Sequence, residues 1–300
     1  MKAQSLFAIA LFWGGNLHAQ RMPLQMLFTA EGMKGQAPPE LTADDIRVRP
    51  NKGEFRISDV TPMRGEHAGL QLAIFIDDGS DSSLGLQYDD LRRFIRQQPS
   101  TTQIGVYYIR NGSAQPAQAI TSDHEAAAAS LRLPLGQPGI AVSPSTAISE
   151  FIKKWPPTGD RREILLISSG IDLDREPPTQ NPYLTTAIAD AQRARVLVNS
   201  IYFASAGHGG HDYYLTNFGR DYLSYLGDET GGEAYWEGLA TSVSLKPYFD
   251  DLNTRLQNQY LLTMTATAQK KPRFERIRLL TEHHGVELMA QDQVWIPAEK

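Results

Sequence analysis

The sequence predicts an α/β fold: a Rossmann-like, doubly wound and mainly parallel sheet, with an additional small β module formed by the N- and C-terminal segments. Two observations predict it. Between residues 70 and 257, short continuous apolar runs alternate with stretches in which apolar residues recur at helical spacing. On either side of this region the chain has only short alternating segments and turns. Strands that alternate with helices form parallel sheets covered on both faces.

The N-terminal β segment, residues 20–69, is divided by turn-forming residues. Proline and glycine near residues 35–39 and the Asn51-Lys52-Gly53 stretch predict turns. The intervening stretches alternate between apolar and polar residues and predict three short strands, at residues 24–28, 46–48 and 55–57.

The central region, residues 70–257, carries the α/β pattern. Its apolar runs predict buried strands at residues 72–76, 104–109, 164–167 and 196–203. Helical spacing predicts helices near residues 84–95, 148–155, 184–191, 218–226 and 245–256. Ser122-Asp123-His124-Glu125 fits a capping box, with Ser122 as the N-cap, that opens a further, Ala-rich helix. Thr230-Gly231-Gly232 is typical of a helix end.

The C-terminal segment, residues 258–300, returns to alternation. Residues 260–267 and 274–280 flank a Lys/Pro turn and predict a β-hairpin, and residues 286–288 and 294–296 predict further strands. Neither end of the chain has helices of its own. We therefore expect the C-terminal strands to pack with the N-terminal segment.

Composition excludes several classes of function. The formal net charge of -5 and the absence of a Lys/Arg stripe argue against a nucleic-acid partner. The chain contains no cysteine, which excludes disulfides, thiolate metal sites and a cysteine nucleophile. The sequence also has no phosphate-binding loop and no dinucleotide fingerprint.

The first 19 residues predict a signal peptide. Lys2 precedes an apolar run at residues 6–13, and Ala19 suits the position before a cleavage site. The run is too short to span a bilayer, and no other segment reaches that length. We therefore expect an exported protein, periplasmic or secreted, without a membrane span after cleavage.

An oxygen-rich loop directly follows the first buried strand. Asp78, Ser80 and Ser82 form a D-x-S-x-S pattern, and strand alternation turns Asp77 away from this set. Open α/β sheets bind ligands at the carboxyl ends of their strands, and Mg²⁺ prefers oxygen ligands. The loop is thus a candidate divalent-cation site, although Asp and Ser also form ordinary turns.

This loop resembles the first metal-binding loop of von Willebrand factor A domains, and the likeness covers roughly residues 70–257. Ser145-Thr146-Ala147-Ile148 is similar to the family's second loop, and Ile167-Ser168-Ser169-Gly170 to its third. The resemblance implies a metal-ion-dependent adhesion site formed by Asp78, Ser80, Ser82, Thr146 and Ser169, holding Mg²⁺ or another divalent cation. Ser169 stands where the family has aspartate, so the site is incomplete, and Asp172 is a possible substitute.

Three further stretches resemble the von Willebrand factor A-related proteins of acidobacteria. They are residues 41–48 (LTADDIRV), Glu229-Thr230-Gly231-Gly232, and residues 258–262 (NQYLL). In that family a signal peptide and a short β segment precede the domain, and the order of the matches along this chain is the same.

The resemblance implies a non-catalytic binding module that contacts a partner protein, whose acidic side chain completes the coordination of the metal. A metal-independent structural or assembly scaffold is the alternative. A hydrolase is less favoured because no general base is placed beside a nucleophile. The H-x-x-H pair of His208 and His211 and the pair His283-His284 are interpreted as solvated loops.

Overall fold

The computed structural model describes residues 21–33, 36–137, 143–172, 176–206, 213–236, 243–267 and 270–299. The predicted signal peptide and the His208/His211 pair lie outside the described residues. The strands in chain order are β1 (Arg21–Gly32), β2 (Ile46–Pro50), β3 (Phe55–Pro62), β4 (Leu70–Asp77), β5 (Thr102–Arg110), β6 (Ser113–Thr121), β7 (Arg161–Ser168), β8 (Val196–Tyr202), β9 (Ala234–Tyr235), β10 (Gln259–Thr267), β11 (Arg273–Thr281), β12 (Val286–Ala290) and β13 (Gln293–Ile296). The α-helices are α1 (Tyr88–Gln97), α2 (His124–Ala129), α3 (Pro144–Lys154), α4 (Pro182–Ala194), α5 (Tyr213–Thr230) and α6 (Lys246–Gln257).

Six strands form the central sheet, in the order β6-β5-β4-β7-β8-β9. All neighbouring pairs are parallel except β5 and β6, which are antiparallel. With the strands numbered within this sheet, the order is 3-2-1-4-5-6, the doubly wound arrangement in which the chain reverses direction across the sheet. The α/β fold class predicted from the sequence is therefore confirmed.

Helices cover both faces of this sheet. One hydrophobic core joins the sheet to α1, α2 and α6, and a second joins it to α3, α4 and α5. Strand alternation decides which core a residue enters: Ile74 and Ile76 of β4 lie in the first core, and Phe75 lies in the second. The middle strands are buried on both sides, as their continuous apolar runs indicate.

The two ends of the chain form a β module. One sheet has the order β12-β1-β10-β3 and the other the order β13-β11-β2, and both are antiparallel. Their facing apolar side chains, among them Met26, Phe28 and Leu262, form a third core. Leu27 and Met63 of this module pack with Leu197 of β8, which joins the module to the central sheet.

Two local predictions were wrong. The strands at residues 260–267 and 274–280 do not form a hairpin, because β10 pairs with β1 and β3 whereas β11 pairs with β13 and β2. The N-cap of α2 is Asp123 rather than Ser122, and its carboxylate accepts a hydrogen bond from the backbone N–H of Ala126.

Within the described residues, none of the helices is both long and apolar enough to cross a membrane.

Candidate functional site

The parallel strands of the central sheet all end at one side, here called the C-terminal edge. The loop after β4 lies there between two other segments. Backbone hydrogen bonds join Asp81 to Ala204 and Ala206 to Gly79, so the segment after β8 is fastened to this loop. On the other side, the backbone N–H of Gln137 donates to the carbonyl of Asp78. The loop is thus enclosed by backbone contacts.

The carboxylate of Asp78 is fully engaged by an arginine. Arg132 Nη1 lies 2.7 Å from Oδ1 and Nη2 lies 2.9 Å from Oδ2, which is a bidentate ion pair. The backbone N–H of Leu135 also donates to Oδ1, at 3.2 Å. Asp78 is 1% exposed, so its charge is buried and is neutralised by this guanidinium. The hydrogen bonds with Asp78 raise the pKa of Arg132.

Two tyrosines hold Arg132 in place. Its guanidinium carbon lies 3.7 Å from the centre of the Tyr108 ring, in cation–π geometry. Its backbone carbonyl accepts hydrogen bonds from the hydroxyls of Tyr88 and Tyr108, and its N–H donates to the Tyr108 hydroxyl. Burial raises the pKa of both tyrosines, so both remain neutral donors at physiological pH. The arginine is therefore positioned by its backbone as well as by its ion pair.

Asp77 contacts a different loop. Its carboxylate accepts a hydrogen bond from the N–H of Gly79 at 2.8 Å and another from the hydroxyl of Ser168 at 2.9 Å. Asp77 does point away from Asp78, as alternation predicts, but it is Asp77 that links the β4 loop to the loop after β7. Burial raises the pKa of Asp77, and the neighbouring charge of Asp78 raises it further.

The two serines of the D-x-S-x-S pattern differ in environment. Ser80 is 1% exposed, and its hydroxyl has no hydrogen-bond partner among the described residues. Ser82 is exposed and begins the 3₁₀ turn that precedes α1. Asp81, between them, caps this turn by accepting from the N–H of Ser83.

The predicted ligands of the second and third loops are not joined to Asp78 by any hydrogen bond between described residues. The hydroxyl of Thr146 lies 2.7 Å from that of Ser143, the N-cap of α3. Ser169 is buried, and its carbonyl lies so close to Gly219 of α5 that a Cβ there would be 1.9 Å away. Asp172, the possible substitute, is also buried.

The residues as arranged do not fit a bound divalent cation. Mg²⁺ requires several oxygen ligands at about 2.0–2.1 Å. Both oxygens of Asp78, the one carboxylate in the predicted set of five, are occupied by Arg132. Across the described ranges, no group of three or more His, Cys, Asp or Glu side chains is placed to hold a metal. Within the predicted set of five, the buried hydroxyl of Ser80 has no hydrogen-bond partner among the described residues.

Exposed hydrophobic side chains concentrate at the C-terminal edge. Ten large hydrophobic side chains are exposed in the described part of the chain, and eight of them lie at this edge. Six follow the ends of parallel strands or begin the next helix, and Leu133 and Leu135 follow α2 in the segment that contacts Asp78. These eight are Leu86, Leu133, Leu135, Tyr183, Tyr213, Tyr214, Trp236 and Val243, and the other two, Met33 and Leu280, lie in the β module. Leu133 directly follows Arg132 in the chain, and the backbone N–H of Leu135 donates to Asp78.

Sequence reasoning located Asp78 and missed its partner. Arg132 is 54 positions further along the chain, after a short helix, and its neighbours carry no recognisable motif. The tyrosines were equally hidden, because Tyr88 and Tyr108 fit ordinary helical and strand patterns. The one available signal is a single arginine within an otherwise apolar stretch, residues 131–135 (LRLPL).

The fold and this site together define a doubly wound α/β domain with a polar, ion-paired loop at the C-terminal edge of its sheet. The sequence matches no protein-family model and no curated protein. Several solved structures are similar. An aerotolerance-related membrane protein from Bacteroides fragilis shares 17% identity over 63% of this chain and 98% of that chain, with a TM-score of 0.44. The SpRpn10 von Willebrand factor A domain shares 13% identity over 61% of this chain and 93% of that chain, with a TM-score of 0.40. The manganese-loaded Plasmodium vivax TRAP protein shares 9% identity over 83% of this chain and 98% of that chain, with a TM-score of 0.42.

Proposed function

We propose that this chain is an exported, non-catalytic binding module that contacts a partner protein through the C-terminal edge of its parallel sheet. The observation that carries the proposal is the gathering there of eight of the ten exposed large hydrophobic side chains. Isolated surface hydrophobics are ordinary, whereas a concentration on one side of a domain is typical of interaction surfaces. Tyrosine and tryptophan are enriched at binding hot spots, and the set includes Tyr183, Tyr213, Tyr214 and Trp236.

We further propose that this binding needs no metal. A partner's carboxylate would complete the coordination of a cation only if Asp78 were free to bind that cation. Arg132 supplies the positive charge in its place and is fixed by Tyr88 and Tyr108. Displacing the guanidinium would leave two charges without their partner, one of them buried, which is costly. The metal-dependent adhesion site is the second candidate, supported by the sequence pattern and by the unpartnered Ser80 hydroxyl.

We also propose that the chain is non-catalytic, and the environment of its serine and histidine side chains supports this. Ser168 is completely buried and donates to Asp77, so a substrate has no access to its hydroxyl. Within the described ranges, the hydrogen bonds of histidine rings go to Thr102 and Asp45 rather than to a serine. A serine nucleophile requires an adjacent base that the solvent and substrate can reach.

Export rests on the signal-peptide pattern of residues 1–19. N-terminal sequencing of the protein from a bacterial periplasm or medium tests it. A mature chain that starts after Ala19 supports export, and an intact Met1 on exported protein contradicts this cleavage site.

The partner surface is tested with cross-linking followed by measured binding. In one sample a photoreactive residue replaces Leu86, which lies at the C-terminal edge and is 82% exposed. In a matched sample it replaces Leu280, which lies in the β module and is 40% exposed. The protein cross-linked only from position 86 is purified, and its affinity is measured by calorimetry. We expect Leu86→Asp and Val243→Asp to weaken binding at least about tenfold, because burying one such side chain contributes about 1.5–3 kcal/mol. Leu280→Asp should change affinity less than about twofold.

Equal weakening by all three substitutions, or by none, would contradict the proposed surface. The same assay in the presence of a chelator tests the metal. An unchanged affinity supports metal-free binding, and a loss of more than about tenfold contradicts it.

Direct titration of the chain alone with Mg²⁺ and Mn²⁺ is independent of the partner. We expect no saturable heat at millimolar concentration. Saturable binding that is abolished by Asp78→Asn and kept by Asp81→Asn, three positions away, would overturn the metal-free proposal in favour of the adhesion-site candidate.

A further inference from the structure

A small cavity lies at the opposite edge of the central sheet, where β7 and β8 begin and the β module packs against them. Its volume is 270 Å³. One wall is apolar and belongs to the β module, with side chains of Leu27, Met63 and Leu261. The other wall is polar and includes Arg162 at the start of β7 and Arg195 just before β8.

The two arginines have no carboxylate partner among the described residues. Arg162 donates to the backbone carbonyls of Trp155 and Ala194, at 2.9 and 2.5 Å. Arg195 donates to the side-chain carbonyl of Gln25. The buried Arg255, in contrast, is ion-paired with Glu31 and Glu233. The cavity therefore holds two positive charges that neutral oxygens alone compensate.

Asp160, which also lines the cavity, is directed elsewhere. Its carboxylate packs against Gly69, where a Cβ would lie 2.0 Å from Oδ1. The charges of Glu163 and, more weakly, Asp160 act on Arg161, which also lines the cavity and whose guanidinium donates to the carbonyls of Ala68 and Leu256 and to Gln259. Neither Asp160 nor another described carboxylate acts on Arg162 or Arg195, so the charges of these two arginines remain uncompensated.

Burial and mutual repulsion both act against the charged forms of this pair. Burial lowers the pKa of Arg162, and the nearby charge of Arg195 lowers it further. Burial also lowers the pKa of Arg195. Two like charges that are partly removed from water gain most from an anion placed between them.

The backbone at Arg195 is also unfavourable for an arginine. Its φ of 58° and ψ of 46° are left-handed, and it ends α4 at the position where glycine is usual. An arginine there costs free energy in backbone strain and again in repulsion from Arg162. Strain of this kind at a cavity wall points to a function for the side chain.

We propose that this cavity binds a small organic anion, whose carboxylate or phosphate head pairs with Arg162 and Arg195 and whose apolar part packs against Leu27, Met63 and Leu261. Guanidinium groups match both heads in geometry and charge. The hydroxyl of Thr158, at the cavity rim, is a further polar neighbour of the head.

The size of the cavity limits the ligand. Sites for drug-sized ligands are commonly about 300–1,000 Å³. A cavity of 270 Å³ therefore suits a molecule with one ring or a short chain. Phenyl phosphate and benzoate have this size and differ only in the anionic head.

Calorimetric titration with four probes tests the proposal: phenyl phosphate, benzoate, inorganic phosphate and uncharged benzyl alcohol. We expect saturable binding of at least one aromatic anion, and the tighter of the two assigns the head group. Benzyl alcohol and inorganic phosphate should each bind at least about tenfold more weakly, because one lacks the charge and the other the apolar part. No saturable binding of either aromatic anion at millimolar concentration overturns the proposal, as does equal binding of benzyl alcohol.

Arg195→Gly separates binding from folding. Glycine adopts the left-handed conformation without strain, so the variant should melt at or above the temperature of the parent. It should bind the aromatic anion at least about tenfold more weakly. Arg195→Asn, also tolerant of this conformation, provides a second variant with the same expected loss.

Arg193→Gln is the matched control. Arg193 is two positions away, pairs with Asp190 and stacks on Trp295 outside this cavity, so its replacement should leave anion affinity within about twofold. Parent-like affinity in Arg195→Gly, or an equal loss in Arg193→Gln, overturns the proposal. The cavity lies opposite the proposed partner surface, so neither result bears on partner binding.

Discussion

Asp77 and Asp78 are neighbours in the chain, yet their carboxylates serve opposite faces of the central sheet. Asp78 meets Arg132 on the side of α1 and α2, and Asp77 meets Ser168 on the other side. Their positions at the end of a buried strand could be predicted from the sequence, because strand ends and alternation are local. Their partners could not, since an ion pair across 54 positions leaves no local pattern.

Asp77 should make stability depend on pH. Burial raises its pKa in the folded protein, so the folded chain holds this proton more tightly than the unfolded chain does. The contribution of Asp77 to the free energy of unfolding is therefore fully present below the pKa of this carboxyl in the unfolded chain, about 3.9. It is lost as pH rises through the higher pKa of the folded protein. We expect Asp77→Asn to be at least as stable as the parent at pH 7, with an advantage that disappears near pH 4.

Urea unfolding of parent and variant at several pH values between about 3 and 8 measures this difference. Asp81→Asn is a control of opposite sign, because hydrogen bonds from Ser83 lower the pKa of Asp81 and its contribution is lost as pH falls. If Asp77→Asn were instead less stable than the parent, and increasingly so at higher pH, the charged carboxylate of Asp77 would stabilise the folded protein, which contradicts the prediction.

At the scale of elements, the start of α4 shows how a helix end is fixed by a buried side chain. The side-chain oxygen Oδ1 of Asn181 accepts hydrogen bonds from the backbone N–H groups of Tyr183 and Leu184 and so caps the helix. Pro182 follows at the first helical position. The Asn181 amide donates to the hydroxyl of Tyr222, on α5, at 2.8 Å. One side chain therefore both begins α4 and positions it against α5.

Asn181→Ala should destabilise the fold by about 1.5–3 kcal/mol. Loss of an N-cap costs about 0.5–2 kcal/mol, and loss of a buried hydrogen bond adds about 1 kcal/mol. Asp123→Ala, which removes the exposed cap of the short helix α2, should cost only about 1 kcal/mol. Chemical denaturation midpoints compare the two, and equal losses would show that the contact with Tyr222 contributes nothing.

Buried elements were the ones that the sequence predicted well. Each parallel strand with an apolar run and each helix with regular spacing is present. The strand β6 was not predicted, because it is an exposed edge strand with Pro116 and several Ala and Gln residues, and such a strand needs no apolar run. The false hairpin of β10 and β11 has a related cause: alternation identifies a strand but does not specify its partner.

At the scale of the whole molecule, one arginine joins three parts of the chain. Arg255 of α6 is 6% exposed and pairs with two glutamates. One is Glu31 of β1, and the other is Glu233, just before β9, whose Oε2 lies 3.0 Å from Nη1 of Arg255. Burial lowers the pKa of Arg255 to about 10. This buried ion pair connects the β module to the central sheet in addition to the apolar contacts of Leu27 and Met63.

Arg255→Ala should destabilise the protein by about 3–5 kcal/mol, since it leaves two carboxylates partly buried and unpaired. The loss should be accompanied by faster hydrogen exchange of the amides of β1. Arg96→Ala removes an ion pair with Glu125 in which both side chains are well exposed, and it should cost less than about 1 kcal/mol. A similar small cost for Arg255→Ala would mean that the β module is held by its apolar contacts alone.

The pairing of β1 with β10 sets the order in which this chain can be completed. Thr29 lies beside Gln259, so β1 leaves the ribosome long before the strand with which it pairs. At about 5–20 residues per second, β1 waits on the order of ten seconds or longer. During that time the unpaired backbone of β1 and its residues 26–30, all buried in the folded protein, are open to any other strand edge. A chaperone that shields this one segment until β10 is made would protect the whole molecule from aggregation.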